Sequence, residues 1–484
     1  MNADLKQKTI KSVMWSLVQR FGVMVISFCA NLVLARLLTP DDYGVVGMLL
    51  IFISISNTFI DGGFGTALIQ KKDPTQEDYS TIFFWNIFIS VLLVCILYIS
   101  SPLISEFYRL PLLSDVLRVM GTVLIINAFS IVQINILQKK FEFKKLATIN
   151  IIANTAASAL AIILALRGFG VWSLVFRNLS CSLVIAIILW ITTKWKPILT
   201  FKFKSFKTLG KFGGMVLLAN LVETIYTEFQ GLVIGRAFSA KDLGYYTQAK
   251  RLEEIPTLGI TSAVNQASFP VYASIQDDKQ SLKNLVRRNI NVLSFINFPL
   301  YAILLIIAEP LFIILFSDKW LESVPYFRIL CLAGAIYPIT SLNTNIIKSL
   351  GKGNLYFYMQ LFKRAVGICL IIWGLHYGMF GLMWVLVLNT YLMYGINIYF
   401  ANKLLNYSLL EQLADIVKNL YITILCSLPT IALAFLDINM FILMGLQIVL
   451  FVVCFITVCI VTKNSTYNDL FKLIKSSIYE KFVN

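Results

Sequence analysis

Among the charged residues inside otherwise apolar stretches of this sequence, eight stand out: Arg20, Asp61, Glu223, Glu228, Arg251, Glu254, Lys363 and Arg364. In such surroundings an arginine or lysine can hold phosphate or carboxylate oxygens, and an acid can carry a proton or ligate a small cation. A charge at the centre of a membrane helix costs about 2.5 kcal/mol or more on insertion scales, so these side chains must face a cavity or a partner. Arg20 and Asp61 lie at matching depths in consecutive stretches and are expected to pair. Glu228 and Arg251 also match in depth, while Lys250 and Arg251 stand four and three residues before Glu254, a helical spacing at which charges neutralise each other. Glu223 has the least obvious local partner, which makes it, with Asp61 and Glu228, a candidate for ion coupling. Lys363 and Arg364 lie close to a helix end and are expected to snorkel outward. The competing reading for all eight is a set of salt bridges that hold helices together and touch no substrate.

Other chemistry is poorly provided for. The eight cysteines, Cys29, Cys95, Cys181, Cys331, Cys369, Cys426, Cys454 and Cys459, sit in apolar segments without CxxC spacing, which suits packing. The single histidine, His376, cannot build a histidine metal cluster, and no G-x-x-x-x-G-K-[ST] loop offers ATP hydrolysis. No cofactor is expected. An enzyme of the same membrane would need a sizeable exposed loop or a carboxylate site outside the spans, and the loops here are too short for a transferase domain.

The elements that must position these charges are membrane helices. Of 484 residues 58% are hydrophobic and 14% charged, with mean hydropathy +0.78, against about a quarter charged in soluble domains. Apolar runs long enough to cross a roughly 30 Å hydrocarbon core recur from end to end. They place six spans in the first half, at 12 to 38, 43 to 69, 80 to 104, 113 to 137, 146 to 166 and 172 to 192. Eight more follow at 212 to 238, 243 to 272, 290 to 316, 323 to 347, 355 to 376, 381 to 402, 416 to 436 and 441 to 462. The first run is too long for a signal peptide and carries Arg20, so it reads as a retained helix. Alternate loops hold Lys71 and Lys72, then Lys139, Lys140, Lys144 and Lys145, then the basic stretch 193–211, then Lys279, Lys283, Arg287 and Arg288. By the positive-inside rule these face the cytoplasm, with both termini. The net charge of +16 is thereby assigned to contact with anionic membrane lipids, and no nucleic acid is called for. The tail 463–484 mixes apolar and lysine residues like an interfacial amphipathic helix.

An internal repeat organises the spans. LVLARLLTPDDYG at 32 to 44 aligns without a gap on LVIGRAFSAKDLG at 232 to 244, so that Arg36 meets Arg236, Asp42 meets Asp242 and Gly44 meets Gly244. Capping and turn closure at the outer ends of the helices account for these residues. Similarly oriented copies imply two lobes related by an axis along the membrane normal, and rocking of such lobes is a general route to alternating access. The expected organisation is an N-terminal lobe at 1–192, a basic linker at 193–211, a C-terminal lobe at 212–402, two additional spans at 403–462 and the tail. Gly62, Gly63 and Gly65 are expected to permit close helix approach or local unwinding. Tyr226, Tyr245, Tyr246 and Trp15 could stack on sugars, although interface anchoring is the commoner use of such rings.

The strings LARLLTPDDYGVVGM, DGGFGTALIQ, RGFGVWSLV and GYYTQAKRLEEIP together resemble the polysaccharide transporter family, which contains the Wzx-type flippases of the multidrug/oligosaccharidyl-lipid/polysaccharide exporter superfamily. The resemblance implies an all-α bundle of about fourteen transmembrane helices in two pseudo-symmetric lobes with V-shaped, MATE-like packing. It also implies a bacterial inner-membrane location and passage of an undecaprenyl-pyrophosphate-linked oligosaccharide repeat from the cytoplasmic to the periplasmic leaflet. The polyprenyl-pyrophosphate-linked oligosaccharide is then the substrate partner, and a polysaccharide polymerase with its chain-length machinery the protein partner such a role admits. A small-molecule or drug/cation antiporter of the same superfamily is the alternative, and a non-transporting scaffold for polymer assembly a third.

Overall fold

In the computed structural model, residues 3–436 and 438–469 are described, and the described residues contain helices and no strand. The tail expected at 463–484 falls outside the described residues from 470 onward. The helices run α1 (Ala3–Leu37), α2 (Pro40–Asp61), α3 (Phe64–Gln70), α4 (Gln76–Tyr108), α5 (Leu112–Lys139), α6 (Phe143–Leu166) and α7 (Val171–Thr193). There follow α8 (Phe203–Ala237), α9 (Ala240–Ser274), α10 (Lys279–Ile306), α11 (Ala308–Phe316), α12 (Ser323–Gly334) and α13 (Tyr337–Ser349). The last are α14 (Gly353–Gly374), α15 (Gly378–Leu405), α16 (Leu409–Ala432) and α17 (Met440–Val461).

Eleven stretches among the described residues are long and apolar enough to cross a membrane, and one of them, Gly353–Leu405, contains both α14 and α15. The expected spans 7 and 8 are present as α8 and α9, each 35 residues long but too polar to qualify on hydropathy alone. With them the expected fourteen crossings are accounted for. Large apolar side chains point outward, as Ile99, Leu103 and Leu410 do, which suits a surface solvated by lipid tails.

By their internal contacts the residues divide into two compact units, Met1–Gly244 and Tyr245–Asn484, the division falling in the first turn of α9. In the first unit α1 packs on α6, and α6 in turn on α7. The buried side of α6 is an alanine stripe, Ala153, Ala157, Ala161 and Ala165, one residue per turn. Lipid tails are as apolar as leucine, so helices in a membrane gain little from apolar burial; small residues let backbones approach and dispersion contacts accumulate. Helix α8 packs on α2, α3 and α4 and so belongs to this first unit. The stretch between α7 and α8 is pinned to the start of α4: Trp195 Nε1 donates to Gln76 Oε1 at 2.8 Å, and the amides of Ile198 and Lys202 donate to Ser80 and Thr81 hydroxyls at 3.0 and 3.1 Å.

The repeat has a direct structural reason. Thr39 and Asp42 form a capping box at the start of α2, and Ser239 and Asp242 exchange equivalent hydrogen bonds at the start of α9. A Cβ at Gly44 would sit 1.7 Å from the Ala240 carbonyl oxygen, and one at Gly244 would sit 1.9 Å from that of Pro40. The two copies meet reciprocally, glycine against the opposite helix start, and no side chain fits at either contact.

In the second unit α10 packs on α12, α13 and α16, while α15 packs on α12, α13 and α14. A core of Leu282, Val286, Ile290, Ile339, Leu342 and Ile346 links α10 with α13. Helix α16 is tied in by charge: Arg287 Nη2 of α10 lies 2.7 Å from Asp415 of α16, whose other oxygen accepts from Tyr407 OH at 2.7 Å, and Lys283 lies 3.0 Å from Glu411.

Candidate functional site

The most continuous polar feature of the first unit runs down one face of α2. Ser54, Asn57, Thr58 and Asp61 recur at the i, i+3, i+4, i+7 spacing that aligns side chains on a helix, and all four are half-buried. Each has a polar neighbour. Ser54 Oγ donates to Glu228 Oε1 of α8 at 3.2 Å, the Thr58 and Thr224 hydroxyls are 3.0 Å apart, and Asn127 Nδ2 of α5 donates to Asn57 Oδ1 at 3.0 Å. The stripe ends at Asp61, the last residue of α2, whose carboxylate accepts the Gly63 amide and lies beside Asn135.

Glycines make this end of the stripe possible. Gly62 and Gly63 have φ of 56° and 67°, and together they stop α2 and start α3. A Cβ at Gly63 would meet the Gly213 carbonyl oxygen at 2.2 Å, so α8 crosses the break backbone to backbone. A Cβ at Gly65 would lie 2.8 Å from both Asp61 Oδ1 and Asn135 Nδ2. Both close approach and unwinding, expected at these glycines, are present.

Four of the eight singled-out charges fall in the first unit. Arg20 is exposed on α1; Glu223 is exposed on α8, and Glu228 is half-buried against α2. Asp61, packed beside α5, completes the four. The other four are in the second unit. Arg251 is exposed on α9, and Glu254 forms the expected i,i+4 pair with Lys250 at 3.8 Å. Arg364 is half-buried. Lys363 does not snorkel: it is only 7% exposed, its Nζ donates to Asn397 Oδ1 of α15 and lies 3.4 Å from Gln360 Oε1. Its neighbour across the interface, Asn397, makes burial tolerable by accepting that hydrogen bond, a partner invisible to spacing along α14.

The residue that sequence reasoning passed over is Glu253. It is 8% exposed, beside the more exposed Glu254, and its Oε1 accepts from Thr257 Oγ1 at 2.5 Å and from Tyr301 OH of α10 at 3.4 Å. Thr257 and Thr261, one and two turns on, continue its buried face. That i, i+4, i+8 polar run was the available signal. Ser54, Asn57 and Thr58 were likewise passed over because they carry no charge, although their spacing inside an apolar run marks a polar face.

Comparison with known proteins agrees with this architecture. The profile of a family described as "Polysaccharide biosynthesis protein" matches residues 33–325. The chain is 25% identical over 357 residues to the teichuronic acid biosynthesis protein TuaB of Bacillus subtilis (strain 168), covering 73% of this chain and 74% of that protein. It is 22% identical over 443 residues to the lipopolysaccharide biosynthesis protein WzxC of Escherichia coli (strain K12), covering 89% and 88% respectively. In fold it resembles the structure of the lipid II flippase MurJ in an inward closed conformation, with TM-score 0.77, 14% identity, and coverage of 95% of this chain and 100% of that one.

Proposed function

Because the chain belongs to the polysaccharide biosynthesis protein family, we propose that it is a flippase that carries undecaprenyl-pyrophosphate-linked oligosaccharide repeats from the cytoplasmic to the periplasmic leaflet by alternating access. The observation that carries the reading is the half-buried polar stripe Ser54, Asn57, Thr58 and Asp61 within a membrane-spanning helix. Hydroxyl and amide groups gain nothing from lipid tails, whereas a sugar offers them hydrogen-bond donors and acceptors at every ring position. Ser54, Asn57 and Thr58 are uncharged, which suits a glycan, while Asp61 and Glu228 beside them are the acids on which the antiporter alternative would rest.

In this reading the lobes are 1–192 and 212–402, with 193–211 as the linker, 403–462 as added spans, and α8 as the part of 212–402 that packs on α2, α3 and α4. Arg20, Arg251 and Arg364 serve the diphosphate, Lys363 being closed off against Asn397, and Asp61, Glu223, Glu228 and Glu254 balance charge or couple an ion. The protein sits in the bacterial inner membrane with both termini in the cytoplasm, surrounded by its lipids and supplying a polysaccharide polymerase.

Deleting the gene in a strain without redundant flippases, and measuring how much lipid-linked repeat becomes accessible on the periplasmic face, tests the proposal. Accessible repeats should fall to background while the cytoplasmic pool accumulates. Unchanged accessibility refutes it, and loss of drug export without any change in repeats would favour the antiporter.

A further inference from the structure

The second unit buries a carboxyl group among hydroxyls rather than beside a cation. The Thr257 and Tyr301 hydroxyls that donate to Glu253 Oε1 are also hydrogen-bonded to each other. The backbone of α12 closes another side: a Cβ at Gly334 would fall 2.1 Å from Oε1 and 2.6 Å from the Tyr301 hydroxyl. The ionisable groups around Glu253 are Tyr301 from α10, Cys331 from α12, and Tyr246, Lys250 and Glu254 from α9 itself. Lys250 is engaged with Glu254, and among the described residues none forms an ion pair with Glu253.

A carboxylate away from water is costly, and binding a cation from outside, whether a metal ion or a proton, removes that cost. A metal cation needs a shell of several oxygens around it. Two hydroxyls and one carboxyl closed off by the Gly334 backbone do not supply that shell. A proton needs no shell and no volume.

We propose that Glu253 is a proton-binding site that couples transport in this protein to the proton gradient. A carboxylate oxygen takes a proton from water on the open side, the carboxylic acid is carried through the change of access, and the same O–H bond breaks to return the proton to water on the other side. Nothing is oxidised or reduced, and outward movement of substrate is matched by inward movement of the proton. This coupling rests on the transport reading above, whereas the protonation of Glu253 does not.

The test uses the full chain in vesicles loaded with a fluorescently labelled undecaprenyl-diphosphate-linked disaccharide. With one proton per cycle, a gradient of one pH unit should shift the steady-state ratio of probe between leaflets by about tenfold. Glu253→Gln keeps the shape of the side chain and should remove any dependence of the leaflet ratio on the gradient. A tenfold shift retained in Glu253→Gln, or no shift in a wild-type protein that does flip the probe, overturns the coupling. In parallel, infrared difference spectra of the detergent-solubilised protein across pH should contain a carboxyl band that Glu253→Gln lacks. Identical spectra overturn the proposal even where no flipping is seen, so its failure and that of the flippase reading are separable. Tyr301→Phe removes one hydroxyl donor and leaves the carboxyl in place. Its band should titrate at a different pH, and an unchanged titration overturns the proposal should Glu253→Gln fail to fold.

Discussion

Gly63→Ala isolates the close approach that terminates the polar stripe. The backbone at Gly63 has φ of 67°, where an L side chain costs about 1–2 kcal/mol. Its Cβ would also lie 2.2 Å from the Gly213 carbonyl oxygen and 2.9 Å from Val216 Cβ, and a backbone oxygen inside a helix cannot swing aside. Forcing α8 away from the break adds about 1–3 kcal/mol of overpacking, for a total loss of about 2–5 kcal/mol. Gly168→Ala is the matched control: φ is 80°, and nothing lies within 4 Å of its Cβ, so it carries the backbone cost alone, about 1–2 kcal/mol. Denaturant unfolding of the two purified variants in the same detergent measures the difference. Equal losses would show that α2 and α8 do not meet backbone to backbone at this point, and the explanation of the glycine cluster would be wrong.

Three further outcomes are expected. Asn397→Leu leaves the Lys363 ammonium buried with only the 3.4 Å contact to Gln360 and should cost about 1–3 kcal/mol, whereas Lys363→Met should cost less than about 1 kcal/mol by unfolding; the reverse order would contradict the burial of Lys363 against Asn397. Glu228→Gln should keep the 3.2 Å contact with Ser54, leave unfolding within about 0.5 kcal/mol of wild type and slow flipping in vesicles; unaltered flipping would return Glu228 to a packing role. Asp278 caps α10 outside the span, and the Ser281 hydroxyl, followed by the Ser281 and Gln280 amides, holds its carboxyl below the usual 3.8. A depressed carboxyl stabilises the fold above its unfolded value, and the contribution is lost as pH falls through the folded value. Protection of the Ser281 amide, its exchange relative to an unstructured peptide at the same pH, should therefore fall in acid, a fall absent from Asp278→Asn.

The charged candidates were legible because a charge in an apolar run is conspicuous, and the i,i+4 partnership of Lys250 with Glu254 follows from helical geometry alone. Lys363 shows where that reasoning stops. Its distance from the helix end suggested an escape to water, yet Asn397, 34 residues away, supplies a partner inside. Glu253 and Glu254 are adjacent in sequence and indistinguishable by composition, but 100° of helix rotation puts one against Tyr301 and the other towards Lys250.

By itself the sequence determined that this protein lives in a membrane, that it crosses about fourteen times, and that two copies of one helix pair recur along it, because hydropathy, loop charge and self-similarity are properties of local segments. The use of Gly44 and Gly244 required the tertiary structure, in which each glycine receives the carbonyl of the opposite copy. The polar stripe acquired its partners on α5 and α8 in the same way. Which face of a helix meets which neighbour depends on contacts between residues far apart in the chain, and in lipid, where apolar burial does not drive association, shape and hydrogen bonding make that choice.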